Sequence, residues 1–305
     1  MNNVIRIGTR DSELALWQAN HVKDLLEKNG FEAIIIPVKS DGDLILDKPL
    51  HELGITGVFT KTLDVAMLNG TVDIAVHSMK DVPTKLPQGI VKAAVLERAN
   101  NRDLLLHKDT PKELDKNATI ATGSLRRKAQ WLNKYPKHNV VDLRGNVNTR
   151  LEKLKNNDWD GAVFAAAGLE RINLKPKNHT VLDWMIPAPA QGAMLVVALK
   201  KDNFCREALK RLNHYETDIC TTIEREFLST LEGGCTAPIG AIAEIDIDYL
   251  TFTGGLFSLD GKQKVTIEKR ILIEHCDDLG VICAKEILSK GGEEIMKKLK
   301  KELSL

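Results

Sequence analysis

Short apolar runs alternate with segments of helical periodicity in the N-terminal part of the chain. The apolar runs are typical of strands in a parallel sheet that is buried on both faces. Ser12 is placed to cap the first helix and Gly30 to end it. Five elements are predicted: strand IRIG (5–8), helix ELALWQANHVKDLLEKN (13–29), strand FEAIIIPVK (31–39), helix TKTLDVAMLN (60–69) and strand VDIAVHS (72–78).

The same alternation begins again further along the chain. Ser124 is placed to cap a helix there. The elements are strand ATIATG (118–123), helix SLRRKAQWLNKY (124–135), strand NVVDLRG (139–145), helix NTRLEKLKNN (148–157) and strand WDGAVFAAAG (159–168). Two strand–helix–strand units of similar size predict two α/β domains rather than one large sheet.

The pattern changes at about residue 215. A helix is followed by short alternating strands, with Asp260-Gly261 as a hairpin turn, and by a final helix. The helix is TDICTTIEREFLSTL (217–231), and the strands are AIAEID (241–246), YLTFTGG (249–255) and KVTIEKRILI (264–273). This part predicts a smaller C-terminal α+β domain.

Two breaks in the pattern suggest where the domains join. One is the polar segment ERANNRD (97–103), and the other is the proline-rich segment IPAPAQG (186–192). We therefore expect a first α/β domain from 1–96 with 193–212, a second from 97–192, and a C-terminal domain from 213–305.

Composition excludes several classes of protein. With 305 residues, 43% hydrophobic and 28% charged, the chain has ordinary globular composition and room for two or three domains. Its net charge of +1 argues against a broad nucleic-acid surface. We expect a cytoplasmic monomer with no membrane partner, because no apolar run is long enough to span a bilayer and no export signal is apparent.

The five cysteines form neither a C-x-x-C pair nor a zinc-binding spacing, and they are odd in number: Cys205, Cys220, Cys235, Cys276 and Cys283. This predicts reduced thiols and no metal site. Cys235 stands apart because glycines precede it and proline follows in LEGGCTAPIG (231–240), which keeps it out of regular structure. It is either a small buried apolar residue or a thiol presented as a nucleophile or anchor.

Polar residues collect at the predicted carboxyl ends of strands, where open α/β sheets bind ligands. They are Arg10, Ser12, Ser78, Lys80, Asp81, Thr122, Ser124, Arg126, Arg127, Arg144 and Arg171. Helix N-termini at Ser12 and Ser124 favour anions, and arginine matches carboxylates with a two-pronged donor. The pattern predicts an interdomain cleft for a ligand with many carboxylates or phosphates. The chain lacks both G-x-x-x-x-G-K-[ST] and G-x-G-x-x-G, so a nucleotide has little support.

Asp81 is the acidic residue that stands out among these cations. It either forms the turn before Val82-Pro83 or stabilises a cation that develops during a reaction. On the residues alone, a cytosolic two-lobed anion-binding protein or effector-sensing domain is the leading interpretation, but it gives no role to Cys235 or Asp81. A cysteine-nucleophile acyl transferase would explain Cys235 but not the scattered basic residues.

A set of motifs resembles the hydroxymethylbilane synthase, or porphobilinogen deaminase, family, and the resemblance runs in order through the whole chain. Each motif alone is modest, and the ordered set is highly specific. The motifs are RIGTRDSELALWQA (6–19), AVHSMKDVPT (75–84), TGSLRR (122–127), LRGNVNTRL (143–151), AAAGLERI (165–172), PAQGA (189–193) and LEGGCTAPIG (231–240).

The resemblance implies a fold and an activity. Two periplasmic-binding-protein-like α/β domains would enclose a cleft beside a smaller C-terminal α+β domain. A dipyrromethane cofactor would be attached to Cys235 through a thioether. The enzyme would add four porphobilinogens to this primer, releasing one ammonia for each, and hydrolysis would free the linear tetrapyrrole hydroxymethylbilane.

The resemblance also implies roles for individual residues. Asp81 matches the family's catalytic aspartate. The cofactor-binding positions match Cys235, Lys80, Asp81, Ser78, Thr122, Ser124, Arg126, Arg127 and Arg144, and the substrate-binding positions match Arg10, Ser12, Arg150 and Arg171. Two positions depart from the family pattern. Thr56 replaces a usual lysine in GITGVF (54–59), and Gly123 replaces a common serine.

Overall fold

The computed structural model of the protein describes residues 4–39, 60–108, 114–231 and 237–303. Within these ranges the chain forms two five-stranded sheets and one three-stranded sheet. The prediction of two α/β domains followed by a smaller C-terminal domain is confirmed.

Strands and helices alternate through the two α/β domains. The strands are β1 (Ile5–Thr9), β2 (Ala33–Pro37), β3 (Ile74–Ser78), β4 (Ile90–Val95), β5 (Asp103–His107), β6 (Thr119–Ala121), β7 (Asn139–Val141), β8 (Gly161–Ala165), β9 (His179–Val181) and β10 (Met194–Leu199). The helices are α1 (Glu13–Lys28), α2 (Lys61–Leu68), α3 (Leu125–Lys134), α4 (Val147–Asn156), α5 (Ala166–Arg171) and α6 (Asn203–Lys210).

The two sheets share one topology. The first has the order β2-β1-β3-β10-β4 and the second the order β7-β6-β8-β5-β9. In each sheet the first three strands are parallel, and the fourth, β10 or β5, is antiparallel to its neighbours. The chain crosses from β4 to β5 and returns before β10, so two connections join the sheets. Because β10 belongs to the first sheet, we keep the boundaries 1–96 with 193–212, 97–192 and 213–305 as a proposal.

One predicted strand is shorter than expected. The sequence predicted a strand over 159–168, but β8 ends at Ala165 and α5 begins at Ala166. Pairing with β5 stops at the pair Asp103–Ala165, and the alanines that follow favour a helix. The turn from strand to helix brings Gly168 and Arg171 to the carboxyl end of the second sheet.

The C-terminal domain packs helices against an antiparallel sheet. Its elements are α7 (Tyr215–Thr230), β11 (Ile239–Asp246), β12 (Tyr249–Phe257), β13 (Lys264–Leu272), α8 (Leu279–Ile287) and α9 (Glu293–Leu303). Phe227 and Phe252 are fully buried in its core and meet edge to face, with ring centroids 5.2 Å apart. The predicted final helix is divided in two, because Gly291 has a φ of +103° between α8 and α9.

The predicted hairpin turn at Asp260-Gly261 is confirmed and lies between β12 and β13. Gly261 has a φ of +72°, and a Cβ there would lie 2.5 Å from the backbone nitrogen of Asn133 in α3. The turn therefore docks closely on the second domain. No helix in the described ranges is long and apolar enough to cross a membrane.

Candidate active site

A cavity of about 530 Å³ lies between the two α/β domains. The N-termini of α1, α3 and α4 contribute to its wall, so backbone N–H groups and positive dipole ends face it. Eleven of the residues predicted from the sequence line this cavity: Arg10, Ser12, Ser78, Lys80, Asp81, Ser124, Arg126, Arg127, Arg144, Arg150 and Arg171.

Two predicted residues do not appear among those lining residues. Thr122 is buried, and its hydroxyl accepts a hydrogen bond from the backbone N–H of Ser124 at 3.3 Å, so it shapes the start of α3. Cys235 lies outside the described residues, as does Thr56. Ser124 accepts from the backbone N–H of Arg127 at 3.4 Å, which confirms the predicted cap. Ser12 occupies the cap position of α1 but makes no side-chain capping bond.

Arg126 and Arg127 form a buried ion-pair cluster with Asp103, which sequence reasoning missed. Arg126 donates to one carboxylate oxygen of Asp103 at 2.8 Å, and Arg127 donates to the other at 2.7 and 3.0 Å. All three residues are buried. Burial alone would raise the pKa of Asp103, but the two guanidiniums outweigh it and hold that pKa at about 2. Both arginines therefore have a structural partner as well as a position on the cavity wall.

Asp103→Asn is expected to destabilise the protein by about 3–5 kcal/mol, because it leaves two buried guanidiniums without a counter-charge. The stabilisation should also depend on pH. Since the folded-state pKa of Asp103 is depressed, its contribution is fully present above about pH 4 and is lost as the pH falls through about 2. Urea unfolding of both proteins at pH 7 and at pH 3 measures this. A variant as stable as wild type at pH 7 would contradict the cluster's structural role.

Three other cations on the cavity wall form no ion pair with any carboxylate in the described part of the chain: Arg144, Arg150 and Arg171. Arg144 is 6% exposed, and its Nε atom has no hydrogen-bond partner among the described residues. Burial lowers the pKa of Arg144 and brings the pKa of Arg150 and of Arg171 to about 10. Buried and half-buried cations that form no ion pair with the described residues indicate a site for an anionic ligand.

Arg150 and Arg171, which are less buried than Arg144, are oriented by main-chain carbonyls. Arg150 donates from Nε to the carbonyl of Gly145 at 2.7 Å, and Arg171 donates from Nη2 to that of Gly192 at the same distance. Each guanidinium keeps further N–H groups for a ligand. The cleft thus holds its cations in place before a ligand arrives.

Charge on the cavity wall is strongly unbalanced. The described lining residues include seven cations and three carboxylates, which are Asp11, Glu13 and Asp81. Asp81 ends a short 3-10 turn (Met79–Asp81) directly after β3, and it interacts electrostatically with Lys80 and Arg150. The arrangement places the Asp81 carboxylate among cations, as the sequence predicted.

Several residues that the sequence analysis did not single out support this site. Gln18 donates to the hydroxyl of Ser78 at 2.9 Å. Asn148 of α4 donates to Glu13 of α1 at 2.8 Å and so joins the two domains beside the cavity. Gln191 accepts from Lys80 at 3.3 Å. In the sequence, Gln191 is marked only by its place in the motif PAQGA. Asp103 ends the segment ERANNRD (97–103), which we interpret from the sequence as a joint between domains.

The residues present fit a cofactor that carries several carboxylates. The Nε atoms of Arg126 and Arg144 are buried without partners among the described residues, so each guanidinium has donor capacity that the protein does not use. The space is large enough for a molecule of several rings. Within the described ranges, no three His, Cys, Asp or Glu side chains form a group suited to a metal ion.

Comparison with known proteins agrees with the family resemblance seen in the sequence motifs, and it does so over nearly the whole chain. Residues 5–207 match the family model "Porphobilinogen deaminase, dipyromethane cofactor binding domain", and residues 219–289 match "Porphobilinogen deaminase, C-terminal domain". The porphobilinogen deaminase of Geotalea uraniireducens is 42% identical over 297 residues, covering 96% of this chain and 93% of that protein. That of Chloroherpeton thalassium is 39% identical over 306 residues, covering 97% and 98%.

Solved structures of binding proteins resemble the chain more distantly. A probable amino-acid ABC transporter extracellular-binding protein from Bacillus subtilis is 12% identical, with a TM-score of 0.45. The alignment covers 75% of this chain and 97% of that one.

Proposed function

This chain belongs to the porphobilinogen deaminase family, and from that premise we propose that the basic cleft holds a dipyrromethane attached to Cys235. The protein is a transferase, a hydroxymethylbilane synthase of tetrapyrrole biosynthesis, and its substrate is porphobilinogen. The observation that carries the proposal for the cleft is Arg144, a buried cation on the cavity wall whose Nε has no partner among the described residues.

Carboxylate recognition is the main task of the cleft in this proposal. Each porphobilinogen unit carries an acetate and a propionate, so a growing chain accumulates negative charge. Charge-assisted hydrogen bonds from guanidiniums to carboxylates are roughly twice as strong as neutral ones. The residues proposed to bind the cofactor are Lys80, Asp81, Ser78, Ser124, Arg126, Arg127 and Arg144, with Thr122 acting through Ser124. Those proposed to bind substrate are Arg10, Ser12, Arg150 and Arg171.

When bound, the dipyrromethane supplies the pyrrole carbon that accepts the first new unit. The protein's part in the reaction centres on Asp81. As ammonia leaves porphobilinogen, positive charge develops on the substrate's pyrrole, and the Asp81 carboxylate is placed to stabilise it. The same carboxylate can accept a hydrogen bond from a pyrrole N–H, which would orient the ring.

We also propose that the enzyme acts as a cytoplasmic monomer on small molecules, with no nucleic-acid or membrane partner. The near-zero net charge supports the absence of a nucleic-acid surface. The four described cysteines are free, which suits a reducing compartment.

Arg144→Leu tests the proposed binding role. Losing a charge-assisted contact worth about 1.5–3 kcal/mol should lower kcat/KM for porphobilinogen by about 10- to 100-fold. The melting temperature should stay the same or rise, because the variant removes a buried charge that forms no ion pair with the described residues. Steady-state kinetics and a thermal melt on the same preparation measure both quantities.

Two further variants serve as controls for Arg144→Leu. Arg127→Leu should lower both activity and melting temperature, because it also breaks the buried pair with Asp103. Arg270→Leu removes an exposed cation in the C-terminal domain and should change neither. If Arg144→Leu keeps wild-type kcat/KM, Arg144 does not bind carboxylates of the ligand.

A further inference from the structure

Gln191 is fully buried where the two chain segments that connect the α/β domains pass each other. Its side chain makes three polar contacts. Its Nε2 donates to the carbonyl of Asn101 at 2.8 Å and to a carboxylate oxygen of Asp103 at 3.0 Å. Its Oε1 accepts from the Nζ of Lys80 at 3.3 Å. The single amide therefore lies between a lysine of the first domain and the buried carboxylate of the second.

These partners fix which way the amide points. Both amide hydrogens are used by oxygen acceptors, and the amide oxygen faces the Lys80 ammonium, which can only donate. Rotating the amide by half a turn would set its oxygen against Asp103 and its NH2 against Lys80. Both new contacts would be repulsive, so the network allows one orientation.

The main chain on both sides of Gln191 is also fixed, at an energetic cost. Ala190 has a φ of +62° and Gly192 a φ of +89°, both in the left-handed region. A Cβ on Gly192 would lie 2.5 Å from the carbonyl oxygen of Ala99. A non-glycine residue held at positive φ in a buried site is typical of functional positions.

Two charged residues hold this strained segment in place. Arg98 donates from Nε to the carbonyl of Gln191 at 2.8 Å and pairs with the fully buried Glu224 of α7. Glu224 also accepts from the backbone N–H of Ala190 at 2.6 Å and of Ala243 at 2.8 Å. The C-terminal domain thus anchors the segment that carries Gln191.

We propose that Gln191 is a positioning residue that holds the Lys80 ammonium at the wall of the cleft. Asp103 then remains paired with Arg126 and Arg127, and Lys80 remains beside Asp81. The inference rests on the proposed function, because it assigns Lys80 to the binding site for the cofactor.

The charge on Lys80 is the property that should respond to Gln191. Burial lowers the pKa of Lys80 to about 8, while Asp81 and Asp103 oppose this shift and Arg126 and Arg127 reinforce it. The amide oxygen of Gln191 stabilises the charged form by accepting its hydrogen bond. Removing that acceptor should lower the pKa of Lys80 further.

The experiment is labelling of Lys80 with trace acetic anhydride across a pH series, on the protein as isolated, read by peptide mass spectrometry. The titration midpoint of Lys80 should fall by about one pH unit in two variants. Gln191→Met removes the amide oxygen that accepts from Lys80, and Gln191→Asn withdraws it on a shorter side chain. Gln130→Met is the matched control. Gln130 is also a buried amide, but it contacts Ile186 rather than Lys80. The titration midpoint of Lys80 in Gln130→Met should therefore match that in wild type.

The outcomes separate this inference from the proposed function. A lower midpoint in a folded Gln191 variant, with no change in Gln130→Met, supports the positioning role. An unchanged or raised midpoint in whichever Gln191 variant folds, or an equal shift in Gln130→Met, overturns it. The labelling needs no turnover. Failure of the proposed function would instead appear as wild-type protein that carries no covalent cofactor.

Discussion

Replacing Cys235 with serine is expected to give a folded protein that carries no cofactor and makes no product. A hydroxyl is a far poorer nucleophile near neutral pH than a thiol that is partly thiolate. Without a covalent primer, the first condensation has no acceptor. Intact mass, ammonia release and a thermal melt on one preparation measure the three parts of this expectation.

The other cysteines cannot take over the role of Cys235. Burial raises the pKa of the Cys220 thiol to about 12 and that of Cys283 to about 11, and it also raises the pKa of Cys205. These thiols stay protonated at neutral pH and are shielded from ligands. Cys276→Ser is the matched control, since Cys276 is the least buried described cysteine, and it should keep both the added mass and the activity. Full turnover in Cys235→Ser would refute the anchor.

Asp81→Asn is expected to slow turnover by at least about 10²-fold without a change in melting temperature. Asparagine keeps the size of aspartate and suits the same turn, so a purely structural Asp81 would tolerate it. Losing one preorganised electrostatic partner typically costs roughly 3–4 kcal/mol of transition-state stabilisation, or about 10²–10³ in rate. Single-turnover ammonia release reports this step directly.

Two variants sharpen the test of Asp81. Asp81→Glu keeps the charge but moves it by one methylene, so its rate should lie between those of wild type and Asn. Asp11→Asn makes the same chemical change at an exposed carboxylate on the same cavity, where solvent screens the charge, and should cost less than about tenfold. An Asp81→Asn rate within about threefold of wild type would remove Asp81 from the mechanism.

The cavity could be predicted from the sequence because its residues follow a simple geometric rule. Carboxyl ends of parallel strands meet at one edge of a sheet, so side chains after β1, β3, β6 and β8 converge without any knowledge of long-range pairing. Ser78 at the end of β3 and Lys80 and Asp81 directly after it are an example: all three line the cavity.

The partners of those side chains could not be predicted in the same way. Asp103 belongs to an antiparallel strand that enters the second sheet from the first domain, and Arg126 lies 23 residues further along the chain. The pairing depends on where that crossing strand is inserted, which local patterns do not encode. Gln191 reaches Lys80 across 111 residues for the same reason. Sequence reasoning therefore identified cations at the cleft but could not tell which of them the protein neutralises itself.

The element boundaries predicted from the sequence were wrong where tertiary contacts determine them. The strand predicted over 139–145 stops at Val141, where pairing with β6 ends. The strands β5 and β10 lay in or beside segments assigned to the joints between domains. Each becomes the antiparallel member of a sheet only because the chain crosses twice between the domains.

The intact mass of the purified protein under denaturing conditions tests whether this chain is a synthase primed by a covalent dipyrromethane. We expect a mass above that of the sequence by two linked pyrrole units. Limiting porphobilinogen should then add a series of up to four further equal increments. A protein with the mass of the bare chain, both before and after substrate is added, would show that no covalent primer is present.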